Sequence, residues 1–215
     1  MRLPEHRKSQ WRMGWEVERI AALYKELSYH TVAPTLLDIG SEEGDITALF
    51  GVWGYGVIIA EPSPKFWGSI KTTWESNNIK RPLGYFKGFV CNTTNSKIKP
   101  WHTLNDSEII PEPGFKNLWE DDPEIPRIKI DDILQTPQVI NIDVEGSEFE
   151  VLKGAEKTLR NSRPVVFASV HPEFMFHNHQ QYSTEMFSYM SGLKYKYELL
   201  AIDHEYHFKF YPSPK

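Results

Sequence analysis

The sequence lacks several features that would each indicate a particular class of protein. It has one cysteine, Cys91, so an internal disulfide and a cysteine-built metal site are excluded, and a reducing, intracellular setting fits. No stretch approaches the roughly 18 uninterrupted apolar residues of a membrane span. The N-terminal stretch MRLPEHRKSQWRMGW has no apolar core and is not expected to be a secretory signal. Together these absences predict a cytoplasmic protein.

An excess of basic charge is also absent. The formal net charge of the chain is −5 at pH 7, whereas a protein that binds the phosphate backbone normally has a basic face. Duplex nucleic acid is therefore not an expected partner. The basic residues near the N-terminus are expected to form a solvated tail, although they would also suit an acidic partner: Arg2, His6, Arg7 and Lys8.

The remaining composition is that of a globular enzyme or binding module. Hydrophobic residues make up 40% of the chain and charged residues 25%, which excludes wholesale disorder. The length fits a single domain over residues 1–215. Within it we expect an N-terminal helical segment over residues 1–33, because apolar residues at helical spacing predict one amphipathic helix over 10–29.

Short apolar runs alternate with amphipathic segments along the rest of the chain. The runs predict strands at 35–39, 57–60, 82–90, 139–143, 165–169, 195–202 and 205–211, with a further ordered stretch at 127–130. The other segments predict helices at 45–52, 64–77, 147–160 and 184–190, the third of them opened by a capping box at Ser147 and Glu150. This alternation indicates a parallel sheet with crossover helices, closed by an antiparallel hairpin.

Residues 91–126 interrupt the alternation with five prolines and an acidic cluster. A loop this long inside a compact domain is usually functional or disordered, and we expect an insert or a lid over the site. Its aromatic residues, Trp101, Phe115 and Trp119, suit a platform for the face of a sugar. They would equally suit anchors that hold the loop on the core.

Carboxylates or histidines stand at the ends of the predicted strands. In an open α/β sheet, ligands bind beyond the carboxyl ends of the strands, near the point where the strand order reverses. A candidate site at that edge would draw on the following residues: Asp38, Glu61, Asp143, Glu145, His171, Glu173, Asp203, His204 and Glu205.

The loop after the first predicted strand distinguishes between cofactor classes. Its glycines, Gly40 and Gly44, are four residues apart rather than in the G-x-G-x-x-G pattern of dinucleotide sites. Glu42 and Glu43 between them would repel a pyrophosphate but would tolerate a cationic ligand without phosphate, such as S-adenosylmethionine. Glu61 lies 21 residues after Gly40, where an acidic side chain accepts both hydroxyls of a ribose.

Three blocks of the sequence resemble the successive motifs of the FkbM-type S-adenosylmethionine-dependent methyltransferases: LLDIGSEEGDIT, IIAEPSP and INIDVEGSEFEVLKGAEKTL. The third block is the specific one, and the resemblance covers roughly residues 35–172. It implies the α/β fold of class I methyltransferases, a Rossmann-like, mostly parallel seven-stranded sheet with a C-terminal antiparallel hairpin and helices on both faces. It also implies S-adenosylmethionine as cofactor and O-methyl transfer to a hydroxyl of a sugar, glycan or natural product.

The resemblance carries over to individual positions. Asp143 would face the transferred methyl group, and Glu61 would hold the ribose. The implied cofactor-binding residues are Asp38, Gly40, Ser41, Gly44, Thr47, Glu61 and Asp143. The family often carries an acidic residue two positions before the histidine of the fifth strand, where this chain has Ser169.

Methyl transfer to a hydroxyl needs help in removing the proton, from a general base or a metal. His171 is the preferred base, because an unperturbed imidazole is largely neutral at pH 7. Asp143 would orient it or act as the base, and Glu145 and Glu173 are nearby candidates to replace the carboxylate missing at Ser169. Alternatively, Asp143 caps a loop and His171 is a satisfied histidine at a strand end.

A divalent metal is a further possible cofactor, with His171, Glu173, Asp203 and His204 as candidate ligands. If 203–205 is the hairpin turn, its side chains project beside His171. A polar surface turn would give the same sequence. Two other functions also remain open: a nicotinamide-dependent oxidoreductase, which the glycine loop disfavours, and a degenerate methyltransferase fold kept as a binding or scaffold module.

Overall fold

The protein is described by a computed structural model over residues 1–30, 34–94, 125–133 and 136–214. The expected lid over 91–126 is therefore described only at its two ends. Its aromatic residues Trp101, Phe115 and Trp119 lie outside the described residues. None of the helices in the described ranges combines the length and the apolar character needed to cross a membrane.

Helices and strands alternate through most of the described chain. The helices are α1 Glu5–Arg12, α2 Val17–Ser28, α3 Asp45–Val52, α4 Pro64–Ser76, α5 Glu148–Lys153, α6 Glu156–Asn161, α7 Pro172–His179 and α8 Ser183–Gly192. The strands are β1 Thr35–Ile39, β2 Gly56–Ala60, β3 Gly84–Phe86, β4 Phe89–Val90, β5 Arg127–Ile128, β6 Val139–Ile142, β7 Val165–Val170, β8 Tyr195–Ile202 and β9 Tyr206–Pro212.

Seven of the strands form one sheet in the order β3-β2-β1-β6-β7-β9-β8. The strands from β3 to β7 in this order are parallel, and β9 is antiparallel to both β7 and β8. The predicted mostly parallel sheet with a closing hairpin is therefore confirmed. Because β1 pairs with β2 on one side and with β6 on the other, the strand order reverses there, and this is where such sheets bind ligands.

Both faces of the sheet are covered, which explains the continuous apolar runs of its parallel strands. Leu36 and Leu37 of β1 are fully buried, and they pack into two different hydrophobic clusters. The cluster of Leu36 includes residues of α2, α3 and α4, whereas that of Leu37 includes residues of α5 to α8. Burying one such side chain stabilises the fold by about 1.5–3 kcal/mol.

The N-terminal segment differs from the predicted single helix over 10–29. The chain forms two helices, α1 and α2, with Gly14 (φ 91°) and Glu16 (φ 60°) between them in left-handed conformations. A left-handed residue cannot continue a right-handed helix, so the chain changes direction here. Leu23 and Leu27 of α2 nevertheless pack into the core on the face that the periodicity predicts.

The predicted strand over 82–90 also divides in two. β3 belongs to the large sheet, whereas β4 pairs with β5 in a separate two-stranded parallel sheet. The backbone N–H of Phe89 donates to the carbonyl of Pro126 at 2.8 Å, and that of Cys91 donates to the carbonyl of Ile128 at 2.9 Å. This small sheet joins the two described ends of the insert.

The predicted helix over 147–160 consists of two helices, α5 and α6, because Asp131 intervenes at their junction. The carboxylate of Asp131 accepts hydrogen bonds from the backbone N–H groups of Lys157 (2.9 Å) and Thr158 (2.8 Å), in the first turn of α6. Its own N–H donates to the carbonyl of Gly154 at 3.0 Å. Asp131 therefore supplies partners to both helix ends.

The expected capping box at Ser147 and Glu150 is wrong, since no side-chain hydrogen bond caps α5 at Ser147. The hydroxyl of Ser147 lies instead 2.9 Å from Nε2 of His179. That histidine ends α7, a helix that the sequence analysis did not predict and that begins with Pro172, directly after β7. Proline is well suited to the first helical position, because its missing N–H would have no partner there.

Candidate active site

The candidate site is a cavity of about 730 Å³ beyond the carboxyl ends of β1, β2 and β6. Pockets of roughly 300–1,000 Å³ bind small molecules. Carboxylates from the strand ends and the adjoining loops line it: Asp38, Glu42, Glu61, Asp143, Glu145 and Glu205. The structure thus brings together side chains that are up to 167 residues apart in the sequence (38 to 205).

Asp38 and Asn141 face each other across the paired strands β1 and β6. Nδ2 of Asn141 donates to Oδ1 of Asp38 at 2.6 Å. Burial raises the pKa of Asp38 to about 6, and the hydrogen bond from Asn141 limits this rise. Oδ1 of Asn141 is buried at the cavity without a hydrogen-bond partner among the described residues. This acceptor is available to a ligand that carries N–H or O–H groups, and the sequence analysis did not single it out.

Gly40 allows the loop after β1 to contact the end of β6. Its φ is 80°, and a Cβ atom at this position would lie 1.7 Å from the carbonyl oxygen of Asp143. The backbone N–H of Gly40 also donates to the carbonyl of Ala60 at 2.9 Å. Only glycine fits this close approach, so Gly40 sets the shape of the cavity floor.

The other predicted residues of this loop differ in position. Ser41 lines the cavity, and its hydroxyl donates to the carbonyl of Asp38 at 3.1 Å. Gly44 and Thr47 do not line it. The hydroxyl of Thr47 is fully buried, donates to the carbonyl of Gly44 at 2.8 Å and accepts from Trp74 Nε1 at 3.3 Å. In this arrangement the two residues support the loop that carries Ser41.

Glu61, at the end of β2, is a buried carboxylate fixed by two backbone groups. Its Oε2 accepts from the N–H of Glu42 at 2.9 Å, and its Oε1 accepts from the N–H of Ser63 at 2.7 Å. Burial raises the pKa of Glu61 to about 7, although the two hydrogen bonds oppose the rise. The side chain lines the cavity in a fixed orientation, and each oxygen keeps a second lone pair for a ligand hydroxyl.

Of the N-terminal basic residues that the sequence suggested as a solvated tail, Arg2 and His6 are exposed, whereas Arg7 is not. Arg7 on α1 is only 9% exposed and lines the cavity. Its Nε donates to Oδ2 of Asp45 at 2.8 Å, and its Nη2 donates to Oε2 of Glu16 at 3.2 Å. Its Nη1 lies 3.6 Å from Glu42. α1 is therefore packed against the glycine loop, and its guanidinium compensates part of the acidic charge there.

A second arginine, Arg19 on α2, is fully buried and also lines the cavity. Its Nη1 is 2.9 Å from Oδ2 of Asp143 and donates to Oγ of Ser169 at 2.5 Å. Its Nη2 donates to Oε1 of Glu16 at 2.9 Å. Ser169, at the position where the family often has an acid, therefore binds this guanidinium, and Arg19, which also lines the cavity, orients Asp143.

His171, at the end of β7, is surrounded by carboxylates. Its Nδ1 lies 2.7 Å from Oε1 of Glu148, which is fully buried. Its Nε2 lies 3.2 Å from Glu205, 3.6 Å from Glu145 and 3.9 Å from Asp143. The three predicted catalytic residues, Asp143, Glu145 and His171, are thus neighbours.

The protonation of His171 differs from the expectation of a neutral base. Burial alone would lower its pKa, but the hydrogen bond with Glu148, the close contact with Glu205 and the charges of Glu148 and Asp143 outweigh burial and raise the pKa to about 11. A protonated imidazole cannot accept a proton, so the reason for preferring His171 as the base does not hold in this arrangement. The cause is Glu148, whose role the sequence analysis did not recognise.

The remaining candidate metal ligands, Asp203, His204 and Glu173, lie in two different places. Asp203 and His204 lie in the β8–β9 turn, where Oδ1 of Asp203 contacts Nδ1 of His204 and Nε2 of His207, each at 2.9 Å. Its Oδ2 accepts from the N–H of Glu16 at 2.8 Å. Oε1 of Glu205 in the same turn lies 2.9 Å from Nε2 of His204 and 3.2 Å from Nε2 of His171. Glu173 is exposed on α7, does not line the cavity and is not in either group of residues that could share a metal ion.

Comparison with known proteins gives one family match and several matches in fold. A family model described as the methyltransferase FkbM domain matches residues 38–198. A methyltransferase FkbM from Methylobacillus flagellatus KT superposes with a TM-score of 0.58 at 18% identity, over 83% of this chain and 44% of that chain. This chain thus spans less than half the length of that relative.

Two further solved structures share the fold over most of both chains. A magnesium protoporphyrin IX methyltransferase from Synechocystis PCC 6803, with bound SAM, gives a TM-score of 0.56 at 10% identity, over 95% of this chain and 83% of that chain. The PH0226 protein from Pyrococcus horikoshii OT3 gives a TM-score of 0.54 at 10% identity, over 95% of this chain and 92% of that chain. Such identities establish the class I methyltransferase fold alone. No curated protein is significantly similar in sequence.

Proposed function

The chain belongs to the family of FkbM methyltransferase domains, and from this membership we propose that it transfers a methyl group from S-adenosylmethionine to a hydroxyl of a sugar, glycan or natural product. The observation that carries the proposal is the acidic cavity at the point where the strand order reverses. Its carboxylates suit a ligand with positive charge and no phosphate, and its volume of about 730 Å³ leaves room for part of an acceptor.

The residues around the cavity fit this cofactor. Glu61 would hold the ribose hydroxyls, because its carboxylate is buried, fixed in orientation and turned to the cavity. Gly40 and Ser41 would hold the methionine part together with Asp38, and the free acceptor Oδ1 of Asn141 would receive a hydrogen bond from an ammonium group. Glu42 at the rim disfavours the pyrophosphate of a nicotinamide cofactor.

The polar groups beside Asp143 favour oxygen as the methyl acceptor. When bound, S-adenosylmethionine supplies a methyl group on a positively charged sulfur, which a nucleophile attacks in line. A hydroxyl is a weak acid and must lose its proton during this attack. Asp143 and Glu145 line the cavity and would accept that proton or fix the hydroxyl, while Arg19 holds Asp143 in place.

The direct test of the cofactor is calorimetric titration with S-adenosylhomocysteine, with NADH as the control ligand. We expect micromolar binding of S-adenosylhomocysteine and no binding of NADH. Glu61→Gln should weaken binding about tenfold or more, since a charge-assisted hydrogen bond contributes about 1.5–3 kcal/mol. Glu75→Gln, an exposed change on α4, should leave it unchanged.

The other results separate the rival functions. Binding of NADH alone would identify an oxidoreductase on a similar sheet. Binding of neither compound would favour the degenerate fold kept as a scaffold. If S-adenosylhomocysteine binds, transfer of labelled methyl groups from S-adenosylmethionine to a panel of sugars and small hydroxyl compounds tests O-methylation, and label found only on amines or carbons would contradict it.

A further inference from the structure

Four side chains from separate segments present donor atoms to one point beside the cavity. Asp143 follows β6, Glu145 lies in the next loop, His171 ends β7 and Glu205 lies in the β8–β9 turn. Each offers one oxygen or nitrogen atom, and these atoms all lie within 4.8 Å of one another. An ion held at about 2.1–2.4 Å from each ligand needs ligand atoms separated by no more than about 4.8 Å.

The orientation of His171 is fixed by a second carboxylate that is not part of this group. Oε1 of Glu148 lies 2.7 Å from Nδ1 of His171 and also accepts from the N–H of Gly146 at 2.9 Å. Nε2 is consequently turned toward the other three carboxylates. A carboxylate behind one ring nitrogen, with the other nitrogen directed at a cluster of oxygens, is the usual setting of a metal-ligating histidine.

Two buried polar atoms in this group have no hydrogen-bond partner in the described part of the chain: Nε2 of His171 and Oε2 of Glu205. His171 is only 9% exposed. Its Nε2 lies 3.2 Å from Oε1 of Glu205, but the two atoms are not aligned for a hydrogen bond. Buried polar atoms without partners are costly, and a bound ion would supply the missing partner. Both atoms belong to the group that could share a cation.

We propose that Asp143, Glu145, His171 and Glu205 bind a divalent first-row metal ion of the Mn²⁺ type. Three carboxylates supply the charge that a divalent ion requires, and the imidazole favours a transition ion over Mg²⁺ or Ca²⁺. Nε2 of His171 would bind the ion through its lone pair, so any proton carried there is released to solvent when the ion binds.

The neighbouring group of Asp203, His204 and His207 is a weaker site, although its atoms are also close together. Both oxygens of Asp203 are already engaged, by the two histidines and by the N–H of Glu16. Nδ1 of His207 lies 3.0 Å from Oγ of Ser169. Because its donor atoms already have partners, this group is not expected to bind an ion tightly.

The position of the ion gives it a role beside the proposed cofactor. Asp143, Glu145 and Glu205 line the cavity as well as the metal group, so an ion there would be within reach of an acceptor. A bound hydroxyl loses its proton more readily on a divalent ion. This role rests on the proposed methyl transfer, whereas binding of the ion does not.

The test is titration of the chelator-treated protein with Mn²⁺, monitored by electron paramagnetic resonance of the free ion. We expect one bound Mn²⁺ per chain with micromolar affinity, and much weaker competition by Mg²⁺ and Ca²⁺. Glu205→Gln should weaken binding about tenfold or more, because it removes one of three charged ligands. Glu173→Gln is the matched control, because it removes an exposed carboxylate two residues after His171. This variant should bind Mn²⁺ normally.

Further variants make each outcome decisive. His171→Gln should also lose the ion, and circular dichroism with urea unfolding shows whether each variant is folded. Loss of Mn²⁺ in Asp203→Asn but not in Glu205→Gln would place the ion in the neighbouring group and overturn the proposal. Absence of Mn²⁺ binding to the folded wild-type chain, with or without S-adenosylhomocysteine, would overturn it as well.

Titration with S-adenosylhomocysteine separates this proposal from the proposed function. Mn²⁺ binding without S-adenosylhomocysteine binding would leave the metal site in place and refute the cofactor. Binding of S-adenosylhomocysteine without binding of Mn²⁺ would support the proposed cofactor and refute the proposed metal site.

Discussion

Arg19 Nη1 lies 2.9 Å from Asp143 Oδ2, and the guanidinium is fully buried. The same side chain contacts Glu16 and Ser169, so all its described partners belong to the edge of the site. A buried cation is tolerated only where its partners compensate for the lost hydration. The pair therefore ties α2 to the end of β6, and the stability of the N-terminal helices depends on the same contact as the orientation of a proposed catalytic carboxylate.

We expect Arg19→Met to lower the free energy of unfolding by about 3–5 kcal/mol, because it leaves Asp143 and Glu16 without their buried cation. Urea denaturation followed by circular dichroism measures the change. Arg160→Met removes an exposed ion pair with Glu156 and should cost less than about 0.5 kcal/mol. Equal, small losses in the two variants would show that the buried contact is not important for stability.

Arg7 and Asp45 should be energetically coupled, since the structure buries their hydrogen bond beneath α1. A double-mutant cycle with Arg7→Met and Asp45→Asn is expected to give a coupling of about 1–3 kcal/mol in urea unfolding. Lys8 and Glu5, an exposed pair on the same helix, serve as the comparison and should show no measurable coupling. Additive effects at Arg7 and Asp45 would show that their hydrogen bond does not hold α1 on the core, as expected for a solvated N-terminal tail.

Two of the unrecognised residues carried a signal in the sequence. Arg19 precedes Leu23 by four residues, so it lies on the apolar face of the predicted helix, where a charge indicates a buried partner. Asn141 is the only polar residue in the run Val139–Ile142, and a polar residue inside a strand buried on both faces needs a partner. Either position could have been added to the predicted site on these grounds.

The features that the sequence did not show all depend on contacts between distant segments. Asp131 divides the helix predicted over 147–160 because it approaches α6 from 26 residues away. The pKa of His171 follows from Glu148 and from the turn at Glu205, and neither contact can be deduced from local pattern. The parallel sheet and its closing antiparallel hairpin, in contrast, follow from hydrophobic periodicity within short segments, and they were predicted.

Cofactor binding should depend on pH through Glu61, because burial raises the pKa of this carboxyl to about 7. The charged form is the better acceptor of ribose hydroxyls, so the affinity for S-adenosylhomocysteine should fall several-fold from pH 8 to pH 6. Calorimetry at both values measures it. In Glu61→Gln the affinity should be weak and nearly independent of pH, and a wild-type pH dependence kept by this variant would assign the effect to another group.

The same raised pKa makes Glu61 a cost to stability at high pH. Between about pH 4.5, its ordinary pKa, and pH 7, the folded chain binds the proton more tightly than the unfolded chain. Its contribution is therefore present at low pH and is lost as the pH rises through 7. Glu61→Gln should gain stability relative to wild type from pH 5 to pH 8, by about 3 kcal/mol at most. Thermal unfolding at the two pH values shows the sign.

Substitution of Glu61 should affect cofactor binding, whereas substitution of His171 should affect methyl transfer. Glu61 lines the cavity, whereas His171 does not and acts through the group of Asp143, Glu145 and Glu205. His171→Ala is therefore expected to leave the affinity for S-adenosylhomocysteine nearly unchanged and to lower methyl transfer by about 100-fold, through loss of the proposed ion. Glu61→Ala should weaken the affinity itself.

The comparison needs calorimetry and a labelled-methyl assay on the same preparations, with Glu173→Ala as a control that keeps both properties. Glu173 stands two residues after His171 on the exposed side of α7, so it tests whether a change in this segment alone is harmful. An equal loss of S-adenosylhomocysteine affinity in His171→Ala and Glu61→Ala would contradict the division. It would mean that the carboxylate group around His171 shapes the cofactor cavity itself rather than the chemistry beside it.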